Sequence, residues 1–94
     1  MEPFEFDEMK DAENQRKHGL PLEFAPLIFE GPFIEEEDLR RDYGETRIVA
    51  TGPIEPLGGR ICVVVYTWRE GIRRIISFRK ANEREIGKYQ ANVD

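Results

Sequence analysis

The stretch Ile61–Ala81 reads ICVVVYTWREGIRRIISFRKA, and nowhere else does the chain bring a hydrophobic run, a turn and a block of cations together. Ile61–Trp68 is a β-branched and aromatic run of the kind that fits a pleated, half-buried surface. Arg69-Glu70-Gly71 is a turn candidate, because Gly71 adopts positive φ without steric cost. Ile72–Phe78 is a second run, threaded with Arg73 and Arg74 and leading to Arg79 and Lys80. Two such runs joined by a short Gly-containing link predict a β-hairpin. On its first strand Arg60, Cys62, Val64, Tyr66 and Trp68 share one face, opposite Ile61, Val63, Val65 and Thr67. Regular alternation on the second strand groups Arg73, Ile75, Ser77 and Arg79 against Ile72, Arg74, Ile76 and Phe78. Arg74 and Arg79 then serve one site only if a bulge intervenes or the site wraps an edge.

Working outward from the hairpin, Phe4-Glu5-Phe6 alternates as a short edge strand or an aromatic anchor. Asp7 is an N-cap candidate for a helix over Glu8–His18, and Gly19 is its left-handed stop. Met9, Ala12 and the stem of Arg16 form its expected inner face. A second helix is expected over Leu20–Phe29, short or kinked because Pro26 removes an intrahelical bond. The acidic run Glu35–Asp38 reads as an exposed edge or loop. Glu45–Gly52 alternates as a strand, and Pro53–Gly59 is a loop. Asn82 and Glu85 have capping-box spacing for a short last helix that turns Ile86 and Tyr89 inward. The expected architecture is a single α+β domain over residues 1–94. In it, two N-terminal helices pack on a three- to four-stranded antiparallel sheet, with a short C-terminal helix.

A chain of 94 residues with 39% hydrophobic content can bury one core without a staple. No apolar run is long enough to cross a bilayer, so no membrane association is expected. Cys62 stands alone inside a hydrophobic strand, which excludes an internal disulfide and makes the cytoplasm the expected compartment. The net charge of −5 hides an asymmetry. Residues 1–45 hold fourteen acids against five Lys and Arg, whereas residues 60–94 hold eight Lys and Arg against four acids. This places a basic face on an acidic protein.

Inventory removes several chemistries. One His and one Cys cannot build a Cys/His zinc site. Ser77 is the only serine, and no base lies near it in sequence. No glycine-rich phosphate loop is present, and no cofactor is expected. Arginines, lysines and a tyrosine on a sheet suit a phosphodiester: cations hold the phosphate and stabilise added charge, and aromatic rings stack on unpaired bases. RNA supplies its own 2′-hydroxyl nucleophile, so such a face can cleave it without metal. The alternative is that the arginines form ion pairs with the N-terminal acids.

The chain also resembles a known family in ordered segments. These are Phe4-Glu5-Phe6-Asp7; Asn14-Gln15-Arg16-Lys17-His18-Gly19; more loosely Phe24-Ala25 with Phe29; Asp42-Tyr43-Gly44-Glu45-Thr46-Arg47 followed by Gly52; Val64-Val65-Tyr66-Thr67-Trp68-Arg69; Arg74 through Ala81; and Glu85 with Tyr89. Together they are similar to the BrnT-type toxins of bacterial type II toxin–antitoxin systems. The resemblance implies a RelE-like fold and endoribonuclease activity that arrests translation. It also implies neutralisation by a BrnA-like antitoxin with a ribbon-helix-helix DNA-binding domain, so that operator DNA is reached only through that partner. Pro21 and Pro26 depart from the family pattern and bear on the second helix.

Residues and resemblance together nominate Lys17, His18, Glu45, Arg47, Tyr66, Arg74 and Arg79 for catalysis, and Arg69, Arg73 and Lys80 for RNA binding. Arg74 and Arg79 are phosphate ligands, and Glu45 is a general base or an ion-pair partner of Arg47 or Arg74. Tyr66 stacks on a base, carries a proton or belongs to the core. His18 is catalytic or caps its helix. Two functions follow: a metal-independent endoribonuclease toxin, or a non-catalytic toxin-like module acting as co-repressor subunit with a ribbon-helix-helix partner.

Overall fold

The expected hairpin is the centre of a five-stranded sheet. The structure is a computed structural model that describes residues 3–40 and 42–93. In chain order it contains β1 (Phe4–Phe6), α1 (Glu8–His18), a 3-10 helix (Leu22–Glu30), β2 (Ile34–Glu37) and β3 (Ile48–Ile54). A single 3-10 turn (Glu55–Leu57), β4 (Arg60–Arg69), β5 (Ile72–Lys80) and α2 (Glu83–Asn92) follow. β4 and β5 are joined by Glu70 and Gly71, with φ of 51° and 79°. Positive φ at both central residues is the backbone of the tight turn whose twist matches paired strands.

The architecture expected from the sequence is corrected in three respects, the first being that the sheet has five strands rather than three or four, since Phe4–Phe6 and Ile34–Glu37 both join it. The sheet is mixed, in the order β1-β5-β4-β3-β2, because β1 pairs parallel to β5 through Phe4–Arg73, Glu5–Arg74 and Phe6–Ile75. There are also not two N-terminal helices on that sheet. Helices stand at the two ends of the chain, and the segment between α1 and β2 is a 3-10 helix. Pro26 lies inside this segment and is buried, and it has no amide to donate into an α-helical ladder. The tighter coil presents Leu22, Ala25 and Ile28 to the sheet.

One sheet face carries the core. Cys62, Val64 and Tyr66 of β4, Ala50 and Ile54 of β3, and Ile75 and Phe78 of β5 are buried against Leu20 and the 3-10 helix. Full burial of each large side chain stabilises by about 1.5–3 kcal/mol before entropy is counted. Gly52 belongs to this face. A Cβ there would stand 2.9 Å from Pro32 O and 2.9 Å from Phe33 Cβ, so any larger residue forces the strand or that crossing to shift.

α1 has the expected caps: Asp7 accepts from the amides of Met9 and Lys10, and Gly19 at φ 71° ends the helix. Its expected inner face is wrong. Met9 is 82% exposed and Ala12 is exposed, whereas Asn14 is buried. Asn14 Nδ2 donates to Leu20 O at 2.8 Å and Phe78 O at 2.7 Å, and its Oδ1 accepts from Phe78 N–H at 3.0 Å. The helix is therefore seated by backbone-like hydrogen bonds where β1 has already ended.

α2 lies on the opposite sheet face. Its capping box of Asn82 and Glu85 is formed, Tyr89 donates to Pro32 O at 2.8 Å, and Lys88 Nζ lies 2.7 Å from Glu36.

Candidate functional site

The strand register between β4 and β5 slips between Val65 and Tyr66, so that Ile76 is an extra residue in β5. Past the bulge the pairs are Val65–Ser77, Val64–Phe78, Val63–Arg79 and Cys62–Lys80; before it they are Tyr66–Ile75, Thr67–Arg74 and Trp68–Arg73. Cross-strand partners share a face. Arg74, Ser77 and Arg79 therefore lie together with Val63, Val65 and Thr67 on the α2 side, and Arg73, Ile75, Phe78 and Lys80 lie on the core side. Regular alternation had separated Arg74 from Arg79; the bulge unites them.

Each arginine of this face is met by a carboxylate. Arg74 lies 3.5 Å from Glu5 and 3.8 Å from Asp7. Glu5 reaches it because β1 places it directly beside Arg74 in the parallel register. Arg79 donates to both oxygens of Glu85 at 2.7 Å. That fork holds the Glu85 carboxyl below its ordinary range and lifts the Arg79 guanidinium above its own. At the far end Glu45 sits between Arg47 at 3.5 Å and Arg69 at 3.4 Å. The Arg47 guanidinium lies 4.1 Å from the Tyr43 ring centroid, and Thr67 Oγ1 donates to Thr46 O at 2.7 Å, tying this segment to β4.

A cavity of about 280 Å3 opens beside Arg79, lined among others by Asp38, Arg40, Val65 and Glu85. Its loop is held by Asp38, whose carboxylate accepts two bonds from the Arg40 side chain at 2.9 Å and one from the Tyr43 hydroxyl at 3.0 Å. Chiefly the Arg40 bonds hold Asp38 well below the usual carboxylate range.

The other sequence-predicted residues lie elsewhere. Tyr66 is in the core, its hydroxyl donates to Glu35, and burial followed by that bond pushes it up to about 12. Arg73 is 9% exposed, its guanidinium 3.8 Å from the Phe29 ring centroid, 4.7 Å from Trp68 and 5.2 Å from Tyr66. Lys17 and His18 are exposed in the turn after Asn14, toward the Phe78–Lys80 end of β5, with Lys17 paired to Glu13 at 3.1 Å. The structure thus gathers Arg47, Glu45, Arg69, Arg74 and Arg79 on one face, whereas Lys17 and His18 end α1 and Lys80 ends β5 opposite Cys62. The alternative of ion pairs between the arginines and the N-terminal acids is what Arg74 shows with Glu5 and Asp7, whereas Glu85, the partner of Arg79, was read only as part of the last helix. The signal for Glu5 was the alternation Phe4-Glu5-Phe6, which turns one acid away from its neighbours on a strand that pairs with the β5 edge.

Among the described residues no cluster of three His, Cys, Asp or Glu side chains could hold a metal, and no helix is long and apolar enough to cross a membrane. Comparison with curated proteins gave no match. Among solved structures the chain is similar to the crystal structure of the Brucella abortus ribonuclease toxin BrnT. The TM-score is 0.66 at 28% identity, covering 88% of this chain and all of that one. Residues 6–85 match the family described as the ribonuclease toxin BrnT of type II toxin–antitoxin systems. With most of its length matched by the family, and with a structure similar to that of a solved member, this chain belongs to the BrnT family of ribonuclease toxins.

Proposed function

We propose that this chain is an active, metal-independent endoribonuclease whose toxicity is blocked by a cognate antitoxin. The observation that carries this reading is the Ile76 bulge, which sets Arg74 and Arg79 on one face. In the proposed reaction the 2′-hydroxyl attacks the adjacent phosphorus and the bond to the 5′ oxygen breaks. A 2′,3′-cyclic phosphate and a free 5′-hydroxyl result. Arg74 and Arg79 hold the nonbridging oxygens and stabilise the charge that builds on them in the transition state. RNA phosphate exchanges for the carboxylates that hold these arginines in the free protein. The long Arg74 contacts to Glu5 and Asp7 are weak enough to exchange, and the tighter Arg79–Glu85 fork has to open for phosphate to bind. His18, at the end of α1, is the candidate proton carrier.

The antitoxin is proposed to be BrnA-like, with a ribbon-helix-helix domain that carries the pair to operator DNA. The acidic N-terminal half of this chain suits a basic partner. One observation favours the second reading, a non-catalytic co-repressor subunit: Arg74, Arg79, Arg47 and Arg69 are all engaged by carboxylates of the same chain. Incubating the purified protein with single-stranded RNA, with and without EDTA, separates the two. Cleavage undiminished by EDTA with cyclic-phosphate ends is the expected result; intact RNA in both arms, with antitoxin binding retained, establishes the second reading instead.

A further inference from the structure

A second cavity, of about 400 Å3, lies where β4 runs past the start of β3 and is lined by Glu45, Thr46, Ile48, Thr67, Trp68 and Arg69. β3 begins at Ile48, opposite Tyr66, so the last β4 residues have β5 on one side and this opening on the other. Three features give the cavity a chemistry. Trp68 is 44% exposed, although the β4 residues before it from Cys62 to Thr67 are buried. Its ring is also braced. Arg73 lies over it at 4.7 Å, and Tyr66 meets it edge-on with centroids 5.8 Å apart. An aromatic ring fixed on one side and open to solvent on another is a stacking platform. Finally, the Glu45 carboxylate is only loosely held, by contacts of 3.4 and 3.5 Å, and a carboxylate has about four acceptor positions.

Thr67, which lines the cavity, is the cross-strand partner of Arg74. Trp68 pairs instead with Arg73 on the core side. A nucleotide whose phosphate rests on Arg74 therefore brings its base to Trp68 around the open edge of β4, where the cavity is lined by both Thr67 and Trp68. We propose that this cavity is a nucleobase subsite and that its ligand is an unpaired guanine of the RNA. The base stacks on Trp68 and donates N1–H and N2–H from its Watson–Crick edge to the Glu45 carboxylate. Adenine presents an acceptor at N1 and meets repulsion there; uracil and cytosine present a shorter stacking surface and lack the paired donors. Glu45 is thereby assigned to recognition rather than to proton transfer. The inference rests on the ribonuclease reading for its biological meaning, but the subsite binds whether or not the chain cleaves.

Trp68 is the sole tryptophan of the chain, so its fluorescence reports on this cavity alone. Guanosine, adenosine, cytidine and uridine monophosphates are titrated into the intact protein, with the indole excited at the red edge of its band. Guanosine monophosphate is expected to quench at concentrations roughly ten- to hundredfold below the others, the discrimination of one good bidentate pair. Glu45→Gln is expected to remove that preference while quenching by stacking persists. Equal or absent quenching by all four nucleotides overturns the subsite, as does an undiminished guanosine preference in Glu45→Gln. RNA cleavage without selective quenching removes the subsite and leaves the ribonuclease reading standing. Selective quenching without cleavage does the reverse.

Discussion

The side chain of Asn14 satisfies both backbone groups of Phe78, donating to its carbonyl at 2.7 Å and accepting from its amide at 3.0 Å. β1 covers the β5 edge only from Arg73 to Ile75, and three residues later a helix side chain takes over the role of a neighbouring strand. This substitution lets the chain leave the sheet, turn into α1 and still keep the β5 edge closed.

Replacing Asn14 should therefore act as an edge failure. Asn14→Ala strands the amide and carbonyl of Phe78 and the carbonyl of Leu20, and is expected to cost about 1–3 kcal/mol. Urea unfolding measures the loss, and amide exchange at Phe78 should accelerate with it. Unchanged stability and unchanged Phe78 protection would show that α1 is seated by something else.

Gly52 gives a steric test on the opposite side of the core. Gly52→Ala drives a methyl against the Pro32 carbonyl and Phe33 backbone and is expected to destabilise by about 1–3 kcal/mol. Gly87→Ala in α2, where a Cβ meets nothing within 4 Å, is the control and should be neutral or stabilising. Equal midpoints for wild type and Gly52→Ala contradict the packing of β3 beneath the Pro32–Phe33 crossing.

Tyr66 sets an alkaline limit. Its folded value of about 12 stands above the ordinary phenol value of about 10, owing first to burial and then to Glu35. A raised acid favours its neutral form, so this contribution is fully present below about pH 10 and disappears as pH rises toward about 12. Tyr66→Phe should cost about 1 kcal/mol at neutral pH. The wild-type advantage should fade through that alkaline window. A tyrosinate absorbance titration that shows all three tyrosines ionising together near pH 10 would contradict it.

Asp38 sets an acidic limit of opposite sign. A depressed carboxylate contributes stability above its unfolded value of about 3.9 and loses it as pH falls through the lower folded value. Wild type should exceed Asp38→Asn by a constant margin near neutrality, and the margin should shrink below about pH 4. A margin that does not change with pH would remove the Arg40 and Tyr43 bonds from the account.

Much of this fold could be read locally. Asp7, Gly19, the Asn82–Glu85 box and Glu70-Gly71 are short-range signals, and each sits where the sequence placed it. The parallel β1 strand was hidden because three residues carry no long-range partner in their own pattern. The bulge left a trace that alternation overrode: the core residues Ile75 and Phe78 are three apart, a spacing that no regular strand can bury on one face. Arg73 was misleading for a related reason. A cation beside an exposed turn reads as a ligand for phosphate, whereas Phe29, Tyr66 and Trp68 enclose it from three different positions in the sequence.

The central claim is that Arg74 and Arg79 act on one phosphodiester from one face. Its most direct test is the cleavage rate of a single-stranded RNA by Arg74→Ala, Arg79→Ala and the double variant, each confirmed as folded by circular dichroism. The account predicts a loss in kcat/KM of about a hundredfold or more for each single change. The double change should lose less than the product of the two, because both residues hold the same phosphate. Folded variants that cleave RNA at the wild-type rate would contradict it.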